Sequence, residues 1–218
     1  MSYFLSKTSL SGIIAMIMIL VIVIGIMYIA SKGLNGIPDY PQTISEMDSN
    51  AAVIGNKFYS KMLHCSIAFP DSTWQARFDE DLDSTRITTE QWTTLLTLMK
   101  SKPADTTAMV HIEILKTGTP TSADQIARIH QESIRGRYSE KDFTIIRDVT
   151  TVGGAGLIGA YHVIEFSPSV MEMLPVRVSM FYVRNSLIYH FLCMADVQTY
   201  DALKDEFEYI LKNVTFYR

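Results

Sequence analysis

Residues 176–195 read VRVSMFYVRNSLIYHFLCMA, two runs rich in β-branched and aromatic side chains divided by Asn185-Ser186. A two-residue break led by asparagine between such runs is hairpin chemistry. The turn that matches strand twist needs positive φ at both central residues, and asparagine tolerates it. The stretch therefore predicts antiparallel strands at Val176–Arg184 and Leu187–Ala195. Upstream, Leu157–Phe166 and Phe143–Val152 continue the pattern, joined by Gly153-Gly154-Ala155-Gly156, a tight connection that uses glycine torsions. Further back, Ala108–Leu115 (AMVHIEIL) alternates, with Val110, Ile112 and Ile114 on one face and His111 and Glu113 on the other. Trp74–Asp79 places Trp74, Ala76 and Phe78 on one side, and His64–Phe69 ends at Pro70, giving two shorter strands.

Helical periodicity interrupts these strands. Ser122 and Gln125 form a capping box before Ile126, Ile129 and Ile134, which predicts a helix ending near Gly136 with an isoleucine stripe toward the core. A second helix over Thr199–Lys212 would bury Leu203, Phe207, Ile210 and Leu211, before a terminal strand at Val214–Tyr217. In Thr88–Met99, Trp92, Leu95, Leu96 and Met99 fall at helical spacing, predicting a short helix despite the threonines. Consecutive strands with two long amphipathic helices imply an α+β fold: an α/β/α sandwich around a mainly antiparallel sheet.

Ahead of this domain lies GIIAMIMILVIVIGIMYIA, Gly12–Ala30, 19 residues without a charge. At ~1.5 Å per residue it covers roughly 29 Å, close to the ~30 Å hydrocarbon core, and it carries no polar stripe. A cleaved signal would have an apolar run of ~7–15 residues and a small-x-small site, whereas Tyr28 occupies the position that needs a small residue. The segment predicts a retained anchor and this division: tail 1–11, transmembrane helix 12–31, juxtamembrane linker 32–54 with a helical turn around Ile44–Ala52, and globular domain 55–218. Lys7 and the amino terminus precede the span. Lys32 follows it, ahead of Asp39, Glu46 and Asp48. The positive-inside rule then favours a single-pass protein of the inner (cytoplasmic) membrane, its domain in the periplasm or extracellular space. A net charge of -4 and the lack of a basic block argue against nucleic acid as a partner. Two cysteines, Cys65 and Cys193, leave open one bridge or two separate core thiols.

The order of elements and several short motifs carry a resemblance. Gly55-Asn56-Lys57-Phe58 leads into Cys65-Ser66-Ile67-Ala68-Phe69-Pro70 and Trp74. Gly153-Gly154 precedes a long strand, and the hairpin runs Phe181-Tyr182-Val183-Arg184-Asn185-Ser186-Leu187-Ile188-Tyr189. A closing helix through Glu206-Phe207-Glu208-Tyr209-Ile210-Leu211 meets Val214-Thr215-Phe216. Together these resemble the PsbP-like superfamily, which takes in the DcrB-like envelope lipoproteins. The resemblance covers residues 55–218 and implies an α/β/α sandwich that is non-enzymatic, exported and accessory to membrane complexes. It assigns no catalytic, cofactor-binding or metal residue, because the superfamily has no shared catalytic motif. A transmembrane anchor in place of a lipid anchor departs from it.

The residues themselves offer little chemistry. No HExxH or zinc-spaced cysteine pair accompanies His64, His111, His130, His162 and His190. His111 and Glu113 share a strand face, a geometry open to a metal or to a solvated or helix-covered polar pair. His162 and Glu165 fall on opposite faces. The glycine run at 153–156 leads into a strand and lacks a lysine, unlike a phosphate cradle. Asp79, Glu80, Asp81 and Asp83 read as a solvated loop, since no calcium-loop pattern is present. The expectation is a non-catalytic subunit, without a cofactor, that docks on and stabilises a larger respiratory or photosynthetic membrane complex. Its partners are then the lipid bilayer and the other subunits. The alternative is a ligand- or metal-binding envelope protein of the DcrB-like type, and an enzyme ranks third.

Overall fold

A computed structural model of the chain describes residues 41–46, 48–102, 105–154 and 157–217. The tail 1–11, the predicted membrane helix 12–31 and the first part of the linker lie outside the described residues. No helix among the described residues is long and apolar enough to cross a membrane.

Among the described residues a helical turn, α1 (Gln42–Ser45), precedes eleven strands and two long helices. Four strands form a small sheet in the order β1 (Ala51–Ile54), β2 (Lys57–Ser60), β3 (Cys65–Ala68) and β11 (Val214–Phe216). Seven form a larger one in the order β4 (Trp74–Arg77), β5 (Thr93–Lys102), β6 (Asp105–Lys116), β10 (Leu187–Ala195), β9 (Val176–Arg184), β8 (Leu157–Phe166) and β7 (Phe143–Gly154). Every pairing is antiparallel. The predicted hairpin is present: Asn185 and Ser186 adopt φ of 50° and 60°, and Arg184 faces Leu187. Positive φ at both turn residues is the primed-turn geometry that the strand twist demands.

Helix α2 (Ala123–Arg137) packs on β7, β8 and β9, while α3 (Val197–Lys212) packs on β9, β10 and β3. The large sheet is thus the middle layer. One outer layer is α2, and the other combines α3 with the small sheet. The main core lies on the α3 side and includes Phe58, Ile67, Leu96, Ile112, Phe191 and Ile210. A smaller cluster of Ala123, Ala127, Ala160, Phe181 and Ile188 lies under α2. Capping follows the sequence: Ser122 Oγ accepts from the Gln125 amide at 3.2 Å, and Asp196 caps α3 through the Gln198 amide at 2.8 Å.

Three expectations change. Thr88–Met99 is not a helix, because β5 occupies Thr93–Lys102. Its β-branched threonines suit a pleated surface. A register shift between Thr94 and Leu96 lets both Leu95 and Leu96 enter the core, which mimics helical spacing in the sequence. The isoleucine stripe on α2 is also not its inner face. Ala123, Ala127 and Gln131 are buried, whereas Ile129 is 58% exposed. Small alanines bring the helix backbone close to the sheet, and the isoleucines flank that contact. Finally, Ala51–Ile54, expected in the linker, forms β1 and pairs with β2, so folded structure begins before residue 55.

Candidate functional site

The alternation of β6 divides its side chains between the two layers. Val110, Ile112 and Ile114 are fully buried toward α3, which turns His111 and Glu113 toward the α2 side. Strand β10 lies beside β6 with His190 opposite Glu113, Phe181 of β9 faces His190, and Ala160 of β8 faces Phe181. In the next row of the sheet, His111 faces Leu192, Leu192 faces Ser179, and Ser179 faces His162. Helix α2 then lowers His130 onto this surface beside the buried Ala127. Three of the five histidines and one glutamate share one sheet face with His130 of α2 lying against it, five residues scattered over 80 positions of sequence (111 to 190).

Their contacts run from the rim inward. His111 Nδ1 is 2.9 Å from Thr97 Oγ1, and its Nε2 is 3.2 Å from Glu113 Oε1. The other carboxylate oxygen of Glu113 lies 3.5 Å from His190 Nδ1. The His190 ring stacks on Phe181 with centroids 4.5 Å apart and planes within 5°. His130 stands between its neighbours, its ring centroid 5.3 Å from that of His190 and 5.1 Å from that of His162. His130 Nδ1 and His162 Nε2 are hydrogen bonded at 2.9 Å. Among the described residues, His162 Nδ1 and His190 Nε2 are buried with no hydrogen-bond partner.

Burial dominates the electrostatics. It pushes His130 down to about 3, helped by repulsion from His190 and His162, and His162 down to about 4, helped by repulsion from His190. His190 is lowered too, because loss of solvent outweighs the attraction of Glu113. Glu113 goes the other way, down to about 2, through hydrogen bonding to His111 and then His190 against the cost of burial. At neutral pH the interior therefore holds neutral imidazoles, each one donor and one acceptor, beside a single ionised carboxylate. No group of three His, Cys, Asp or Glu side chains among the described residues is arranged to hold a metal ion. His130 separates His162 from His190, and the His111–Glu113 pair noted in the sequence stands at the rim. That rim opens into a shallow depression of about 750 Å³ lined by Trp92, Thr94 and Thr97.

Sequence reasoning paired His111 with Glu113 but left His130, His162 and His190 apart. The missing link is the adjacency of β6 and β10, which are far apart in sequence (Lys116 pairs with Leu187 and Ala108 with Ala195) and are brought together only by the sheet order. The other candidates resolve into structure. Asp79 accepts from Arg86 and from the Asp81 amide, and Asp83 caps the turn at Ser84–Arg86, so the acidic cluster is a hydrogen-bonded loop. Cys65 and Cys193 are separate buried thiols.

A second cavity lies on the opposite face of the large sheet, between α3 and strands β7 to β9. It measures about 340 Å³, with an apolar floor and Arg147, Lys204 and Lys212 on its lining.

Comparison with known proteins places the fold. No protein-family model and no curated protein matches the chain. Among solved structures, it is similar to the solution structure of cyanobacterial PsbP (CyanoP) from Synechocystis sp. PCC 6803. That match has a TM-score of 0.52 and 9% identity, over 76% of this chain and 95% of that one. It also matches LpqN, involved in cell envelope biogenesis of Mycobacterium tuberculosis, with a TM-score of 0.49 and 13% identity over 82% of this chain and 98% of that one. The likeness to cyanobacterial PsbP shows a PsbP-like α+β fold, as the sequence resemblance implied.

Proposed function

We propose that the chain is a non-catalytic accessory protein of the cell envelope. The segment 12–31 holds it in the inner membrane, and its PsbP-like domain stands on the extracytoplasmic side. There it docks on and stabilises a larger membrane complex of respiratory or photosynthetic type. The observation that carries this reading is the joining of a PsbP-like fold to a 19-residue uncharged segment, Gly12–Ala30. Such a segment matches the bilayer core in length and offers no ionisable group for transport. Both clusters of polar side chains described above also suit a binding role better than turnover. His162 and His190 are buried from solvent, and among the described residues the groove beside α3 has no nucleophile held by a base.

Fractionation with protease accessibility tests the placement. The full chain is predicted to stay in the membrane pellet after alkaline carbonate. Its C-terminal domain is predicted to be cut by protease added to spheroplasts. Release by carbonate, or protection of the domain until the cytoplasmic membrane is broken, would contradict it.

A further inference from the structure

The groove beside α3 has a composition that the accessory role does not use. Its floor is built by residues of β8 and β9 that face the main core, with Val163, Val178 and Met180 meeting Phe207 of α3. Gly159 is required beside it. A Cβ there would stand 2.5 Å from Met180 Cε and 2.8 Å from Tyr182 Cε1, so the missing side chain lets both groups lie across β8. Tyr182 is fixed in turn by its hydroxyl, which donates to the Leu211 carbonyl at 2.9 Å.

The mouth is polar and positively charged. Arg147 lies over the Tyr161 ring at 5.6 Å, and Lys204 over the Tyr200 ring at 5.0 Å. Both cations line the same groove. Arg147 donates to the hydroxyl of Tyr161, and no carboxylate among the described residues pairs with it. Lys204 has an exposed partner, Asp201, whose side chain is 83% accessible and easily exchanged. Glu208, which also lines the groove, is drawn to Lys212. An apolar trough thus ends between two cations that lack a buried counter-charge. At about 340 Å³ it stands at the small end of ligand cavities, sized for one chain.

We propose that this groove binds a single-chain carboxylate amphiphile, its alkyl tail on the Val163–Met180–Phe207 floor and its carboxylate between Arg147 and Lys204. The apolar floor supplies the tail with a dry surface. A guanidinium offers the carboxylate two parallel donors, and the lysine adds a point charge. Met180, unbranched and adaptable, accommodates tails of differing length.

Photo-labelling of the full chain in zwitterionic lipid nanodiscs, with a diazirine-bearing dodecanoate, tests the assignment. Mass spectrometry is predicted to find label on peptides of β8, β9 and α3 around Val163, Met180 and Phe207. The double variant Arg147→Gln/Lys204→Gln, both changes at the exposed mouth, is predicted to lower that labelling roughly fivefold. Its fold is checked by an unchanged tryptophan emission spectrum. The matching alkylammonium probe is predicted to label the groove less than the carboxylate. Label confined to 12–31 or spread evenly over the domain would overturn the site. Groove labelling that is equal for the two probes, or unchanged in the double variant, would overturn the anionic head.

Discussion

Acidification to about pH 5 is predicted to destabilise the domain through His130 and His162. Both have folded values, about 3 and about 4, below the ordinary 6.5 of an unfolded histidine. Above pH 6.5 neither folded nor unfolded chain binds these protons, so the pair is silent. Below it the unfolded chain takes them up while the folded domain refuses them, and stability falls until pH approaches about 4 for His162 and about 3 for His130. At pH 5 each refused proton costs about 2 kcal/mol, from ~1.4 kcal/mol for each unit below 6.5, so the pair costs about 4 kcal/mol if independent. Glu113 does not offset this loss. Its depressed value stabilises the fold above about 4.5, and that contribution is lost only as pH falls from there toward about 2. Against a typical domain stability of ~5–15 kcal/mol the effect is large. Urea unfolding of the full chain in mild detergent measures it. Tryptophan emission reports the domain alone, because Trp74 and Trp92 are the only tryptophans. The midpoint is predicted to fall steeply between about pH 7 and pH 5, and the variant His130→Phe/His162→Leu is predicted to flatten that slope. A wild-type midpoint unchanged over this range, or a double variant that keeps the full slope, would show that the two histidines do not set the acid stability.

Three further outcomes follow from particular contacts. Glu206 accepts from Trp74 Nε1 at 2.7 Å and pairs with Lys100, so Glu206→Ala strands two partly buried donors. A loss of ~1–3 kcal/mol in urea titrations is predicted, with Glu206→Gln recovering part of it. Gly159→Ala forces Met180 and Tyr182 away from β8 and is predicted to cost ~1–3 kcal/mol by the same assay; an unchanged midpoint would show that the floor yields freely. Burial pushes the Cys65 thiol up to about 12 and raises Cys193 as well. Neither should react with iodoacetamide at about pH 8 until denaturant is added, and labelling of the folded protein would contradict the burial.

Much of this architecture was legible where local and global preferences agree. Val176–Arg184 and Leu187–Ala195 are strands with the predicted ends, because Asn185-Ser186 sets the turn and the alternation sets the faces. The α3 helix reads nearly as well: Leu203, Phe207 and Ile210 recur at helical spacing on its buried side, while Leu211 is only partly buried and the helix begins at Val197, two residues before the expected Thr199. Failures arose where spacing was ambiguous. Leu95 and Leu96 enter the core together through a register shift, a local irregularity that no periodicity records. On α2 the contact is made by alanines, which carry little hydropathy signal, so the larger isoleucines drew the prediction. The histidine cluster was invisible for a different reason. It depends on which strand lies beside β6, and that strand, β10, follows after α2 and three intervening strands. The groove escaped notice because Arg147, Tyr161 and Lys204 come from separate elements, and only the packing of α3 on the sheet unites them.

Native electrophoresis of membranes solubilised in mild detergent shows whether the chain belongs to a larger complex. The 24.6 kDa chain is predicted to migrate in a discrete band far above its own mass plus a micelle, with stoichiometric partner subunits. Migration as an isolated monomer, with no partner at comparable amount, would contradict it.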